Sequence, residues 1–169
     1  MTIYSLDLRG MMDDEQTLKV CVGCGGRCCK SFPGSAFPED FGKTREEILP
    51  QLVWALSTQT WVVDTYKDQR FVRPAYKGES QGFGSSCSGD ECVFLRDNGC
   101  ELKYENRPKE CRYLKPHVVA EKFKCNTSFN KQEASVAWSR HDDLISDAEQ
   151  KVKLAEKRKN WKAVERIAI

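Results

Sequence analysis

Little in this sequence pulls the chain toward a membrane, a nucleic acid or a known catalytic apparatus. No stretch of its 169 residues approaches the roughly 20 consecutive apolar positions that a membrane helix needs. Charge is close to balance, with 27 basic and 25 acidic residues for a net +2. No strong attraction to nucleic acid or to an anionic bilayer is therefore built in. The first ten residues lack the basic start and apolar run of a secretion signal, which points to a cytoplasmic setting. Gly-x-Ser-x-Gly, His-Glu-x-x-His and a phosphate-binding loop are all absent, and no acid–base pair stands out, so no catalytic residue is assigned. Internal repeats and low-complexity tracts are absent too. A hydrophobic content of 40% and a mean hydropathy of −0.61 leave room for a modest core only. The length is that of one domain.

What the chain does have is nine cysteines. In a reducing compartment clustered thiols bind metal or do redox work more often than they pair, and an odd count leaves any pure disulfide framework one thiol over. Four of the nine fall in Cys21-Val-Gly-Cys24-Gly-Gly-Arg-Cys28-Cys29. A Cys-x2-Cys followed by Gly25 has the form of a metal knuckle. Both sulfurs reach one ion from a tight turn, and the small residue lets backbone N–H groups point back at the thiolates. Cys28 and Cys29 behave differently. Adjacent side chains point to opposite faces of a strand, or about 100° apart on a helix, so both rarely reach one tetrahedral ion. The vicinal pair therefore suggests two sites side by side, or one cluster with several metal atoms.

Around the cysteines the pattern predicts short elements. A strand is expected at Ile3–Leu8, and a short helix capped by Asp13 delivers the knuckle. Ser31–Gly42, with two prolines, two glycines and three phenylalanines, reads as an ordered loop. Thr44-Arg-Glu-Glu47 is a capping box before a helix that ends near Ser57, with Pro50 either kinking it or lying in its first turn. Thr60–Tyr66 and Arg70–Tyr76 form a β-hairpin about Lys67-Asp-Gln69, and Pro74 marks an edge or an end. Val93–Leu95 and Asp97-Asn-Gly99 form a tight hairpin ending at Cys100. Tyr104–Cys111 is a helical turn interrupted by Pro108, and a short strand lies in 116–129. A helix starts at Lys131, and from Asp142 onward the chain reads as one amphipathic helix. That last stretch mixes eight basic and six acidic residues over 140–169, so Lys157-Arg-Lys159 reads as a solvated face and not a phosphate site.

The second cysteine region is more telling than its spacing alone. Cys92-x-Phe94-Leu95, Gly99-Cys100 and Tyr104-Glu105-x-Arg107-Pro108-x-x-Cys111-Arg112 follow the knuckle in order. Phe32-Pro-Gly34, Pro38-Glu-Asp40, Arg73-Pro74, Lys77-Gly78, Cys125 and Trp138 accompany them. In this series the chain, over about residues 20–145, resembles the YkgJ-type cysteine cluster family of zinc- or iron-chelating domains, the CxxCxxCC type. One departure is the three-residue spacer Gly25-Gly-Arg27, where many members have two. The resemblance implies metal binding, and it carries the ligand role onto Cys21, Cys24, Cys28, Cys29, Cys92, Cys100, Cys111 and Cys125. It supplies no settled reaction, although a related cysteine motif occurs in some flagellin lysine methylases. Eight thiolates suit one or two zinc ions, each tetrahedral with Zn–S near ~2.3 Å. They equally suit iron, or one [4Fe-4S] cluster with spare thiols, and spacing does not choose. The run does not match the cysteine order of bacterial ferredoxins.

Remaining residues carry weaker signals. Cys87 reads as a loop thiol and His117 as a hydrogen-bonding residue, although either could stand in for a ligand. Arg107 and Arg112 flank the Pro108–Cys111 turn, where one could offset a tetrathiolate's negative charge or bind an anionic substrate. The expected molecule is thus a small, metal-stapled α+β domain with short helices, one or two β-hairpins and long ordered loops. A cysteine-cluster domain at 1–139 is followed by a C-terminal helix at 140–169 that packs on it or extends from it. Its expected role is structural metal binding, with a protein partner docking on the C-terminal helix. The alternatives are an iron–sulfur protein with redox or methylase-like accessory work, and third a zinc-stapled nucleic-acid binder. Whether the chain is an enzyme is left open.

Overall fold

The computed structural model of the chain describes residues 25–26, 29–30, 32–79, 91–113, 116–119, 122–125 and 130–167. The expected strand at Ile3–Leu8 and the helix before the knuckle lie outside these residues. Helix α1, Arg45–Ser57, begins where the sequence marks it: Thr44 Oγ1 accepts from Glu47 N at 3.4 Å. Glu47 reaches back to Lys43 N at 2.7 Å, one residue earlier than a standard capping box. Pro50 is accommodated inside the helix. The carbonyl it deprives of a donor belongs to Glu46, and both residues are exposed, so water can supply the missing bond. The buried face carries Ile48, Leu52, Ala55 and Leu56 at helical spacing.

Strands β1, Trp61–Tyr66, and β2, Gln69–Pro74, pair antiparallel from Trp61↔Pro74 to Tyr66↔Gln69. The turn is two residues and not the three anticipated: Lys67 and Asp68 have φ of 47° and 64°, the primed-turn conformation that matches strand twist. Pro74, which has no N–H to give, closes the ladder. Three small elements follow. Strands β3, Leu95–Arg96, and β4, Gly99–Cys100, form a hairpin, and α2, Lys109–Tyr113, follows a 3-10 turn at Tyr104–Asn106. The stretch expected to hold one short strand holds a hairpin instead, β5, Pro116–Val119, with β6, Lys122–Cys125. Helices α3, Lys131–Ser139, and α4, Asp142–Ile167, complete the order. The class is α+β as expected, with three separate two-stranded hairpins among the described residues. No described helix is long and apolar enough to cross a membrane.

The core gathers α1, the β1–β2 hairpin, α3 and the first turns of α4. Phe71, Val72, Leu52, Trp138, Leu144 and Ile145 are all essentially inaccessible to solvent. Through them runs a file of aromatic rings in contact, Trp138 to Phe41, Phe41 to Trp61 and Trp61 to Phe94, with centroids 5.7–5.8 Å apart. Helix α4 is fixed at its start by charge as well as by Leu144, Ile145, Ala148 and Val152. Arg70 binds Asp142 at 2.7 Å and Glu149 at 3.0 Å, and Arg45 pairs with Asp143.

The segment 32–41 is largely buried and irregular apart from a 3-10 turn at Pro38–Asp40. Phe32, Ser35 and Ala36 are buried within it. Ala36 forms a single antiparallel bridge with Val72, donating its N–H to the Val72 carbonyl at 2.8 Å. The Ala36 carbonyl accepts from Trp138 Nε1 at 2.8 Å, a buried bond across 102 residues of sequence. Trp138→Phe keeps an aromatic ring but strands that carbonyl in the core. It should destabilise the protein by about 1–3 kcal/mol in a denaturant titration, and a variant matching the parent would contradict the role given to the bond. Asp142 yields an acid-side prediction. Its hydrogen bond from Arg70 holds its carboxyl below the usual carboxylate range. A depressed pKa contributes stability above the unfolded value, near ~3.9, and loses it as pH falls through the folded value. Asp142→Asn should therefore cost at most about 1 kcal/mol at pH 7, since Asp142 is half exposed, and the gap from the parent should narrow as pH falls below about 3.9 and through the depressed folded value.

Candidate metal centre

Two glycines with φ of +64° and +66°, Gly25 and Gly26, form the turn after the first two cysteines, a conformation that costs glycine nothing. Gly26 is required twice over, because a Cβ there would stand 2.4 Å from Leu95 Cδ1 of β3. The Lys30 N–H returns to the Gly26 carbonyl at 3.1 Å, so Cys29 rides on a helical turn. Its carbonyl accepts the N–H of Cys92 at 2.7 Å. The two cysteine regions are thereby joined by a direct backbone bond across more than 60 residues.

Cys92 is placed by a second short pairing. Tyr76 and Cys92 form an antiparallel bridge, flanked by Lys77 N to Glu91 O at 2.8 Å and Val93 N to Ala75 O at 2.9 Å. Cys92 is buried, 5% exposed, and its carbonyl takes the Leu95 N–H at 3.0 Å. Leu95, the residue under Gly26, faces Cys100 across β3–β4. Gly26, Cys29, Lys30, Cys92, Leu95 and Cys100 are thus linked into one patch by direct contacts.

The strand that presents Cys92 is held by a buried ion group. Arg73, 5% exposed, donates to Asp64 at 2.6 Å, to both oxygens of Glu79 at 2.8 Å and to the Pro74 carbonyl at 3.0 Å. Its guanidinium lies 4.5 Å from the centre of the Tyr76 ring. Glu79 also accepts the Tyr76 N–H at 2.8 Å, which fixes the residue that bridges to Cys92.

Cys111 is placed by other means. It lies on α2, five residues long, and Gly34 packs so closely against it that a Cβ there would stand 2.6 Å from Cys111 Sγ. Asp40 accepts at the start of α2 from Lys109 N at 2.8 Å and accepts from Arg112 Nη2 at 2.6 Å. Glu110 receives the N–H groups of Ser35, at 2.5 Å, and Asn130. Arg112 is thereby committed to Asp40 and to the carbonyls of Glu105 and Arg107, while Arg107 is buried and donates Nε to Leu102 O at 3.0 Å. Arg112 thereby fastens the Pro108–Cys111 turn to Asp40, a role the sequence did not suggest.

Of the eight cysteines proposed as ligands, Cys29, Cys92, Cys100 and Cys111 are described with their side chains. Cys125 is described as a backbone partner of Pro116 in β5–β6. Cys21, Cys24, Cys28 and the loop thiol Cys87 lie outside the described residues, as does the side chain of His117. Among the described residues no three cysteine, histidine or carboxylate side chains converge on one point. The donor set nonetheless fits a soft metal: thiols dominate the patch, Cys92 is shielded from water, and the nearby acids Glu79 and Glu110 are already committed to other donors. Ser35 Oγ, one residue from the glycine against Cys111 Sγ, is buried with no hydrogen-bond partner among the described residues. Sequence reasoning noted Pro38-Glu-Asp40, Phe32-Pro-Gly34 and Arg73-Pro74 without giving them roles. Their signal was position, since each stands at a fixed place in the cysteine series. Arg73→Met, which leaves Glu79 buried and unpaired, should cost about 3–5 kcal/mol in a denaturant titration. A loss below about 1 kcal/mol, the range of surface pairs, would refute the buried-ion account of how Cys92 is presented.

Comparison with known proteins agrees with the donor chemistry. No curated protein and no solved structure matches the chain. A family model does, over residues 20–139, and its description is a putative zinc- or iron-chelating domain, CxxCxxCC. That span includes all nine cysteines and every hydrogen-bonded fastener described above apart from those on α4. The chain belongs to the CxxCxxCC family of zinc- or iron-chelating domains.

Proposed function

We propose that the cysteines hold a zinc or iron centre whose main work is structural, tying together segments that have no core of their own. The observation that carries this reading is the Cys92 N–H to Cys29 carbonyl bond, which brings Cys29 against the second cysteine region. The ligands would be drawn from Cys21, Cys24, Cys28, Cys29, Cys92, Cys100, Cys111 and Cys125. The metal would supply cross-linking between thiolates, worth roughly 10–16 kcal/mol in small zinc peptides. The need is local. Hairpin β3–β4 pairs only two residues per strand and α2 has five residues, neither of which is stable alone. A reducing, cytoplasmic compartment suits such a centre.

The vicinal Cys28–Cys29 pair favours a second reading with more than one metal atom, including an iron–sulfur cluster with redox work. A protein partner would find its surface on α4 beyond Val152, where Leu154 is 48% exposed. The test is elemental analysis of untagged protein purified without oxygen. Stoichiometric zinc in a colourless protein supports the structural reading, whereas brown protein containing iron and absorbing near ~400 nm supports the cluster. Cys92→Ser and Cys28→Ser should each lower metal content and melting temperature, as should a strong chelator on the parent. Either variant retaining the parent's full metal content and melting point would refute the reading.

A further inference from the structure

Cys111 is placed differently from Cys29, Cys92 and Cys100, because α2 is held by two carboxylates rather than by sheet pairing. Each of them uses both oxygens on different donors. Asp40 Oδ2 takes the N–H groups of Phe37 and Lys109, at 2.8 Å each, and its Oδ1 takes Arg112. Glu110 Oε2 takes Ser35 N and its Oε1 takes Asn130 N. Asp40 therefore grips α2 before and after Cys111, and Glu110, the residue next to it, anchors that turn both to the buried segment and to the start of α3. Gly34 closes the third side against the sulfur.

We infer that Asp40 and Glu110 are positioning residues for the metal centre, building the Cys111 arm into the fold before any metal binds. The inference rests on Cys111 being a ligand, as proposed above. A five-residue helix is too short to hold its own geometry, so without the two carboxylates its thiol would have to be ordered at the moment of binding. An amide in either place can accept at only one of its two atoms and turns the other into a donor facing a donor. Removal of such supporting hydrogen bonds around metal ligands typically weakens affinity about 10- to 100-fold.

The experiment titrates full-length apo protein with cobalt(II), reading the thiolate-to-metal absorption, and measures zinc affinity by competition with a chromophoric chelator. Asp40→Asn and Glu110→Gln should each weaken binding about 10- to 100-fold, while Glu39→Gln, which removes only the exposed contact to Lys109, should not. In a Cys111→Ser background, Asp40→Asn should cost less than about twofold more, because its effect passes through the missing thiol. Melting of each apo variant separates affinity from folding. Asp40→Asn and Glu110→Gln binding as tightly as the parent, with Cys111→Ser impaired, would overturn the positioning role alone. Undiminished affinity in Cys111→Ser would overturn the ligand assignment and the positioning role with it. Weakened binding by Asp40→Asn with normal binding by Glu110→Gln, together with a lowered apo melting point, would reduce Asp40 to a stability residue and overturn the clamp.

Discussion

A buried segment with no ladder of its own must still find a partner for its N–H and carbonyl groups, and 32–41 does so by calling on three separate elements. The Ala36 N–H goes to β2, the Ala36 carbonyl to Trp138 on α3, the Ser35 N–H to Glu110 on α2, and the Phe37 N–H to Asp40. An unpaired buried backbone group costs about 1–3 kcal/mol, so each bond constrains where its partner element can lie. The result couples the hydrophobic core on one side of the segment to the Cys111 turn on the other. That coupling makes Gly34 comprehensible, since the segment and α2 approach to the limit that a missing Cβ allows.

The rest of the cysteine region hangs on the same logic of short contacts between non-contiguous pieces. Arg73 and Glu79 fix Tyr76, Tyr76 bridges to Cys92, Cys92 bonds to Cys29, and Leu95 fills the space beside Gly26. Apart from Leu95 these links are mainly polar, whereas α1, β1–β2, α3 and the start of α4 share the large side chains. The molecule is therefore built in two manners. One half rests on aromatic and aliphatic packing, and the other on short polar contacts between distant segments, where the proposed metal centre would act as the cross-link.

The parts of the fold with strong local chemistry were legible in the sequence. Thr44 with Glu47, the alternation in 60–76 and the apolar period after Asp142 each encode an element within a few residues, because cap, pleat and stripe are short-range requirements. Pro50 showed the limit of that approach. Its cost depends on whether one carbonyl faces water, which only the packed helix decides. Two-residue turns at Lys67–Asp68 gave no glycine or asparagine signal, although both adopt left-handed φ. At the site, the cysteines announced themselves, but the carboxylates that hold Cys111 and the arginine that holds Tyr76 did not. Glu110 looks like an ordinary surface acid in a chain with 25 acids, and Asp40 stood out only as part of Pro38-Glu-Asp40; their distant partners give both their roles. Arg112 is a similar case: adjacency to Cys111 suggested electrostatics, and the fastening bond to Asp40 shows only in the fold.

The central claim is that sulfur from several of these segments meets on one metal centre. X-ray absorption at the metal edge of the anaerobically purified, full-length protein tests it most directly. The account predicts a first shell dominated by sulfur, near ~2.3 Å for zinc, with metal–metal scattering added if the vicinal cysteines serve a cluster. A first shell made of nitrogen and oxygen, or protein that carries no zinc or iron when isolated without chelators, would contradict it.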